Sequence, residues 1–153
     1  MPEIETKDRQ AWMAVLAKAR GDELEALWSA IPEPPAYRFL RKPETGLAMV
    51  RGRIGGTGQA FNMGEMTMTR AAVQMTGEAG EAIAGFAHAA GRNQRHAELA
   101  AAFDAMLQDG RWHALVKKGV VAPLAEAQAG AKKRQATDTA KTRVEFFTLV
   151  RGE

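Results

Sequence analysis

The sequence predicts an α+β protein with an N-terminal helical hairpin, an antiparallel sheet of about four to five strands, C-terminal helices and a returning final strand. Two observations carry this expectation. Apolar residues recur at helical spacing near both ends of the chain, whereas the middle, from residue 37 to 91, alternates as strands do. A length of 153 residues without an internal repeat or linker indicates that residues 1–153 form a single domain.

Two short helices are predicted before the sheet. Trp12 and Leu16 share a face of the first helix, which Asp8 is expected to cap. Leu24 and Trp28 share a face of the second helix, and the prolines that follow prevent its continuation. The two helices are expected to form a hairpin.

The middle of the chain is predicted to form an antiparallel meander. Two strands are expected within residues 37–54, joined by a turn at Pro43–Gly46. Residues 65–75 and 81–91 supply two more strands. The terminal stretch RVEFFTLVRG, residues 143–152, also alternates and is expected to return to the sheet, because a terminal strand gains stability only when it is paired.

The clearest helix of the chain follows the meander. Asn93 can cap it, Leu99 and Phe103 belong to its buried stripe, and Gly110 is expected to end it. A short helix, a link through Pro123 and a longer polar helix are predicted after it.

The composition excludes several kinds of active site. The absence of cysteine removes disulfides, thiolate metal ligands, iron–sulfur ligation and a cysteine nucleophile. Ser29 is the only serine, which argues against a serine hydrolase. His96 and Glu98 fall on different faces of a helix, so no metal site is predicted there, and Glu98 and Asp104 are poorly spaced for acid–base work. The chain is therefore expected to bind no cofactor alone and to act as a subunit.

Charge and hydropathy predict a cytoplasmic protein that binds neither a membrane nor a nucleic acid. No apolar run approaches the roughly 18 residues that span a bilayer, and the charged start is unlike a secretory signal. The formal net charge of +3 is a mild excess that suits small anionic ligands. The basic cluster at residues 132–134 is expected to be a solvated helix face, since it has few aromatic neighbours.

A glycine-rich loop between two predicted strands is the main candidate for a binding site. Its exposed N–H groups can form an anion-binding nest, and arginines flank it. A histidine at a predicted helix N-terminus can contact an anion as a neutral ring. The candidate substrate-binding or anion-binding residues are Arg51, Arg53, Gly55, Gly56, Thr57, Gly58, Arg70 and His96. No catalytic residue is identified.

Two interpretations of this loop stay open. Phe61 stands where a dinucleotide-binding fingerprint needs its third glycine, and Gln59 stands where a phosphate-binding P-loop needs lysine, so neither motif fits. The loop is either an anion-binding turn or a plain hairpin loop. In the second case its glycines accommodate positive φ and its arginines are solvated or paired with Glu44 and Glu65.

Four blocks of the sequence, taken together, resemble the PhnG family, small subunits of the bacterial carbon–phosphorus lyase core complex. The resemblance covers nearly the whole chain in order. The blocks are RQAWMAVLA at 9–17, RGRIGGTGQAFNMGEMTMTRAAV at 51–73, HAELAAAFDAML at 96–107 and RVEFFTLVRG at 143–152.

This resemblance implies a role in phosphonate breakdown. Family members act with PhnH, PhnI and the ATP-binding-cassette protein PhnL, supporting attack of methylphosphonate on the ribose of MgATP. Adenine leaves and α-D-ribose 1-methylphosphonate 5-triphosphate forms. PhnJ, which carries an iron–sulfur cluster, later breaks the carbon–phosphorus bond, and a cysteine-free chain is compatible with a redox step located elsewhere. A homodimer within the complex is also expected.

Three hypotheses for function remain after the sequence is considered. The first is a non-redox subunit of this multisubunit transferase, with MgATP as a substrate of the complex. The second is a module that binds a triphosphate independently through the arginine-flanked loop. The third is a scaffold whose methionines and aromatic residues, such as Phe146 and Phe147, form a permanent interface.

Overall fold

In the computed structural model, which describes residues 4–141, helices pack on one face of a three-stranded antiparallel sheet of order β1-β2-β3. The predicted α+β class is confirmed, with fewer strands than expected. The predicted strand at residues 143–152 lies outside the described residues. The elements are α1 (Thr6–Lys18), α2 (Gly21–Ser29), β1 (Tyr37–Arg53), β2 (Ala60–Thr76), β3 (Ala82–Ala90), α3 (Gln94–Gln108), α4 (Gly110–Val116) and α5 (Ala122–Lys141).

Both predicted N-terminal helices are present, and both pack against α3. Trp12 and Leu16 of α1 and Leu24 of α2 are buried, as their spacing predicts. The prediction that Asp8 caps α1 is wrong by three residues. Glu5 precedes the first helical residue of α1, and Asp8 instead lies in the first turn, where a negative charge is favourable beside the helix dipole.

β1 is one strand of 17 residues where the sequence predicted two strands and a turn. The predicted turn at Pro43–Gly46 is instead part of an irregular stretch, in which the pairing with β2 shifts between Phe39 and Glu44. Pro43 has no N–H to give to the ladder, and an edge strand accommodates this within a bulge. The strand count is therefore lower than predicted because the chain bulges here without reversing.

α3 forms the centre of the core. Asn93 caps it as predicted, because its Oδ1 accepts a hydrogen bond of 3.0 Å from the His96 N–H. Phe103 is fully buried, and nearly every residue of the helix from His96 onward is buried with it. Alanines on α3 let the sheet approach closely. A Cβ placed on Gly85 of β3 would lie 2.0 Å from the Ala101 carbonyl oxygen, so this position has room only for glycine.

The C-terminal helices continue one another more closely than the sequence predicts. Gly110 is the first residue of α4, and a π-helical turn over Lys117–Val121 leads directly into α5. Pro123 lies in the first turn of α5, where its missing N–H needs no partner, so the expected link does not exist. α5 contacts α1 through Gln128, which donates to the Val15 carbonyl at 2.9 Å. No helix within residues 4–141 is long and apolar enough to cross a bilayer.

Candidate functional site

β1 and β2 continue past the end of β3 as a two-stranded ribbon, here called the arm (residues 47–67). β3 pairs with β2 from Thr76 only as far as Met68, whereas β1 follows β2 as far as Ala60. At about 3.3 Å per residue, the stretch between Met68 and Ala60 carries the tip of the arm about 25 Å beyond the last row of β3. The arm is thus a two-stranded projection from a packed body.

Large apolar side chains are exposed along the arm. No residue of β2 before Thr69 is buried. Leu47 and Met49 lie on one face of β1, while Met66 is paired with the alternate residue Ala48 and lies on the other face. The exposed apolar residues, each between 36 and 76 % exposed, are Leu47, Met49, Ile54, Phe61, Met63 and Met66. Both faces of the arm therefore present apolar surface, which is typical of a contact surface for another protein.

The glycine-rich loop is the end of this arm. Gly55 and Gly56 have φ values of +62° and +79°, a left-handed conformation that glycine adopts without strain. The N–H groups of Thr57 and Gly58 both donate to the Ile54 carbonyl, the second at 3.0 Å. Two of the N–H groups that could have formed an anion nest are thus used to close the turn.

The two arginines at the tip differ in their contacts. Arg53 donates from Nη1 to the Gly58 carbonyl at 2.9 Å and so braces the loop. The Arg51 side chain is exposed and donates to no acceptor among residues 4–141. Together with Gly56 and Ala60, these arginines line an open concavity of about 390 Å³. The tip is therefore basic and accessible.

Arg70 lies on the body of the sheet and not at the tip. Its Nε donates to Glu44 Oε1 at 2.6 Å, and Arg41 Nη1 donates to the same oxygen at 2.7 Å. The hydrogen bonds from Arg41 and Arg70 hold the pKa of the Glu44 carboxyl below its usual value. Arg70 is ten positions along β2 from Ala60 at the tip, which corresponds to about 33 Å of strand. Arg70 and the loop therefore belong to different places on the protein.

His96 is in the core, with a relative exposure of 6 %. Its Nε2 lies 2.9 Å from the Leu16 carbonyl oxygen, and because a carbonyl only accepts, the imidazole donates there and joins α3 to α1. The eight predicted candidates thus occupy three places: the tip of the arm, the sheet at Arg70 and the core at His96. Their role in binding substrate or an anion stays a prediction. Residues 4–141 contain no cluster of three or more acidic or histidine side chains that could hold a metal ion.

Sequence reasoning considered Asp104 only for acid–base chemistry and missed its structural role. Asp104 is fully buried and accepts hydrogen bonds from Trp12 Nε1 at 2.8 Å, Arg9 Nη2 at 2.7 Å and the Phe86 N–H at 2.9 Å. A carboxylate in the middle of a helix rich in alanine and leucine was the available signal, because such a group is stable in a core only when it is fully hydrogen-bonded. Its role is to connect α3 with α1 and β3.

Comparison with known proteins agrees with the resemblance seen in the sequence. The chain matches the family of phosphonate metabolism protein PhnG over residues 7–152, which include the arm and all the described helices from α2 onward. It is 43 % identical over 146 residues to the alpha-D-ribose 1-methylphosphonate 5-triphosphate synthase subunit PhnG of Rhizobium meliloti (strain 1021). That alignment covers 95 % of this chain and 90 % of the relative. From these two matches, the chain belongs to the PhnG family of phosphonate metabolism proteins.

Proposed function

We propose that this chain is a non-redox subunit of the carbon–phosphorus lyase system and acts in the cytoplasm. In that role it supports formation of α-D-ribose 1-methylphosphonate 5-triphosphate and adenine from MgATP and methylphosphonate. The relative named above is a subunit of the synthase for that product. The proposed partners are PhnH, PhnI, PhnJ and PhnL, together with a second copy of the chain. MgATP is a substrate of the complex, and this chain alone binds no cofactor.

The observation that carries this proposal is the arm. A two-stranded ribbon is only marginally stable in water, and this one has no buried residue in its β2 half to support it. It exposes apolar side chains on both faces, so burial against other subunits would stabilise it by removing that surface from water. An arm of this kind suits a protein that completes its structure in an assembly.

The polar groups of the body support dependence on partners for the chemistry. Asp104 is held by donors from two elements, α1 and β3, and Asp109 caps α4 by accepting from the Arg111 N–H. The rings of His96 and His113 each contact a backbone carbonyl oxygen. These buried or half-buried groups already have structural partners. The absence of cysteine means that an iron–sulfur cluster needs ligands from another subunit.

Co-expression tests the proposal. The chain is produced with PhnH, PhnI and PhnL, and adenine release from MgATP and methylphosphonate is measured by chromatography. We expect release from the full set, and none when this chain is left out or incubated alone. Turnover by the isolated chain, or full activity of the set without it, would contradict the proposal.

A matched pair of variants tests the arm within the same experiment. The double variant Ile54→Ser and Phe61→Ser removes apolar surface from the arm, and Leu115→Ser removes an exposed apolar residue from α4. We expect the arm variant to lose co-purification with the partners and the α4 variant to keep it. Equal retention by both would show that the arm is not the contact surface.

Independent binding of a triphosphate at the tip is a second candidate. The Arg51 side chain, which has no acceptor in the described part of the chain, and the open concavity beside it favour this possibility. Calorimetric titration of the chain with ATP should then show binding that weakens in Arg51→Ala and with rising salt concentration. Absence of measurable heat, or equal binding by Arg51→Ala, would dismiss it.

A further inference from the structure

We propose that a groove on the open face of the sheet, opposite α3, binds a small phosphorus oxyanion through Arg70 and His88. The groove has a volume of about 430 Å³ and lies where the arm leaves the body. Its walls include Glu44 and Gly46 of β1, Met68 and Arg70 of β2, and His88 of β3. It is distinct from the glycine-rich tip, which is about 33 Å away along β2.

The register of the sheet brings the polar residues of the groove into one row. Glu44 is paired with Arg70, and Arg70 is paired with His88. Directly opposed residues on neighbouring strands point to the same face, with their Cβ atoms about 5 Å apart. A guanidinium and an imidazole are thus close enough to contact two oxygens of one tetrahedral anion.

The bulge in β1 creates this row. Arg41 is paired with Ala72, so an unbroken register would place Pro43 opposite Arg70. The extra residue in β1 places Glu44 there instead. Bulges commonly re-aim side chains beside functional sites. Here the bulge gives Arg70 a carboxylate that fixes its orientation.

The hydrogen-bond donors of the row are only partly used. Glu44 Oε1 accepts from both Arg41 and Arg70, so one negative charge faces two guanidinium groups. Arg70 contributes only its Nε to this contact, and within residues 4–141 its two terminal nitrogens have no acceptor. Both ring nitrogens of His88 also have no hydrogen-bond partner within residues 4–141. Arg70, with a side chain 53 % exposed, therefore keeps a free pair of N–H donors in a region with excess positive charge.

The chemistry of the free donors determines the ligand class. A guanidinium held through Nε still presents a planar pair of N–H groups, which matches two oxygens of a phosphate or phosphonate. The geometry of the groove does not depend on the proposed function, whereas the choice of methylphosphonate as a probe rests on it. The phosphate chain of a nucleotide has the same chemistry, and the test separates these two sources.

Phosphorus NMR of the full-length chain tests the proposal, with methylphosphonate and ATP as separate probes. The expected result is line broadening of at least one probe, with a dissociation constant that rises about tenfold in Arg70→Gln and several-fold in His88→Gln. Arg38→Gln is the matched control, because Arg38 lies on the same sheet and donates to Gln74 outside the groove. Circular dichroism confirms that each variant is folded, and His88→Gln leaves the Glu44 contact intact.

Three results would overturn the proposal. The first is an absence of line broadening for both probes at about 10 mM. The second is equal binding by Arg70→Gln and the native chain. The third is that Arg51→Gln loses binding while Arg70→Gln keeps it. Stronger broadening of methylphosphonate identifies a free phosphonate as the ligand, and stronger broadening of ATP identifies a nucleotide phosphate. Because binding is measured without partner subunits, this test can fail while the chain still assembles, and the assembly test can fail while the groove still binds.

Discussion

The carboxylate of Asp104 and the indole of Trp12 are joined by a hydrogen bond of 2.8 Å inside the core. Arg9, which lies in α1 with Trp12, also contacts the carboxylate, and its Nη2 is 2.7 Å from Asp104 Oδ2. The same carboxylate also holds β3, because the Phe86 N–H donates to Asp104 Oδ2 at 2.9 Å. One buried carboxylate on α3 therefore fixes the position of α1 and of a sheet edge at the same time.

Replacement of Asp104 by asparagine should strongly destabilise the fold. The amide cannot accept from every donor that now converges on the carboxylate, and it leaves Arg9 without its counter-charge. We expect a loss of about 3 kcal/mol in the free energy of unfolding, measured by urea denaturation. Asp138→Asn removes an exposed carboxylate that, within residues 4–141, pairs only with Lys141, and it should cost less than about 0.5 kcal/mol. Equal losses in the two variants would mean that the buried network contributes little.

Gly85→Ala should also destabilise the protein, because a Cβ there would lie 2.0 Å from the Ala101 carbonyl oxygen and 2.6 Å from the Ala105 nitrogen. These are backbone atoms of α3, so the helix and the sheet would have to separate. We expect a cost of at least about 2 kcal/mol in thermal or urea unfolding. Gly46→Ala is the control, since a Cβ there meets no atom within 4 Å. An unchanged midpoint for Gly85→Ala would show that the two layers are not in such close contact.

Tyr37 should ionise at unusually high pH. Burial, followed by the hydrogen bond that its hydroxyl donates to Glu98, raises the pKa of Tyr37 from about 10 to about 12. Tyr37 is the only tyrosine of the chain, so phenolate absorbance near 295 nm reports it alone. We expect a midpoint near pH 12 in the folded protein and near pH 10 in urea. A folded-state midpoint near 10 would refute the contact.

The same pKa shift predicts how stability changes in alkaline solution. The unfolded chain loses the phenol proton near pH 10, while the folded chain keeps it until about pH 12. The stability that this group provides is therefore complete below pH 10 and is lost as the pH rises from 10 to 12. Tyr37→Phe should remove that component of the pH dependence in urea unfolding. Glu98→Gln should lower the ionisation midpoint below 12 and leave it above 10, since burial persists.

Backbone amides of the arm should exchange with deuterium much faster than those of the body in the isolated chain. The arm, residues 47–67, lacks a helix layer, whereas residues 69–76 of β2 pack against α3. Mass spectrometry of peptides from the two regions measures the difference. In the assembled complex we expect the arm to become protected and the body to change little. Equal protection of both regions in the isolated chain would show that the arm is stable without partners.

Much of the fold could be predicted from local patterns. The buried faces of α1 and α3, the Asn93 cap and the antiparallel pairing of the central strands follow from apolar spacing and from residues with strong positional preferences. The turn expected at Pro43–Gly46 was wrong, because a proline and a glycine close together are equally compatible with a bulge at a sheet edge. Only pairing with β2 distinguishes the two.

The candidate site was less predictable, since nearness in sequence gave a poor indication of nearness in space. Arg53 and the glycines are local to one loop, and the structure places them together. Arg70 appeared to flank that loop, but it lies ten positions along β2 from Ala60 at the tip and is paired with Glu44. The position of His88 next to Arg70 depends on the β2–β3 register, which local sequence patterns do not determine.

The sequence by itself determined the fold class and, through its resemblance to other chains, the family, because spacing of apolar residues and short motifs are properties of neighbouring positions. The tertiary structure decided which charged groups meet, that Asp104 connects three elements, and that β1 and β2 project as an arm with apolar faces. These features depend on register and on layer packing between distant segments. Such contacts are set by the free energy of the whole core and not by any local preference.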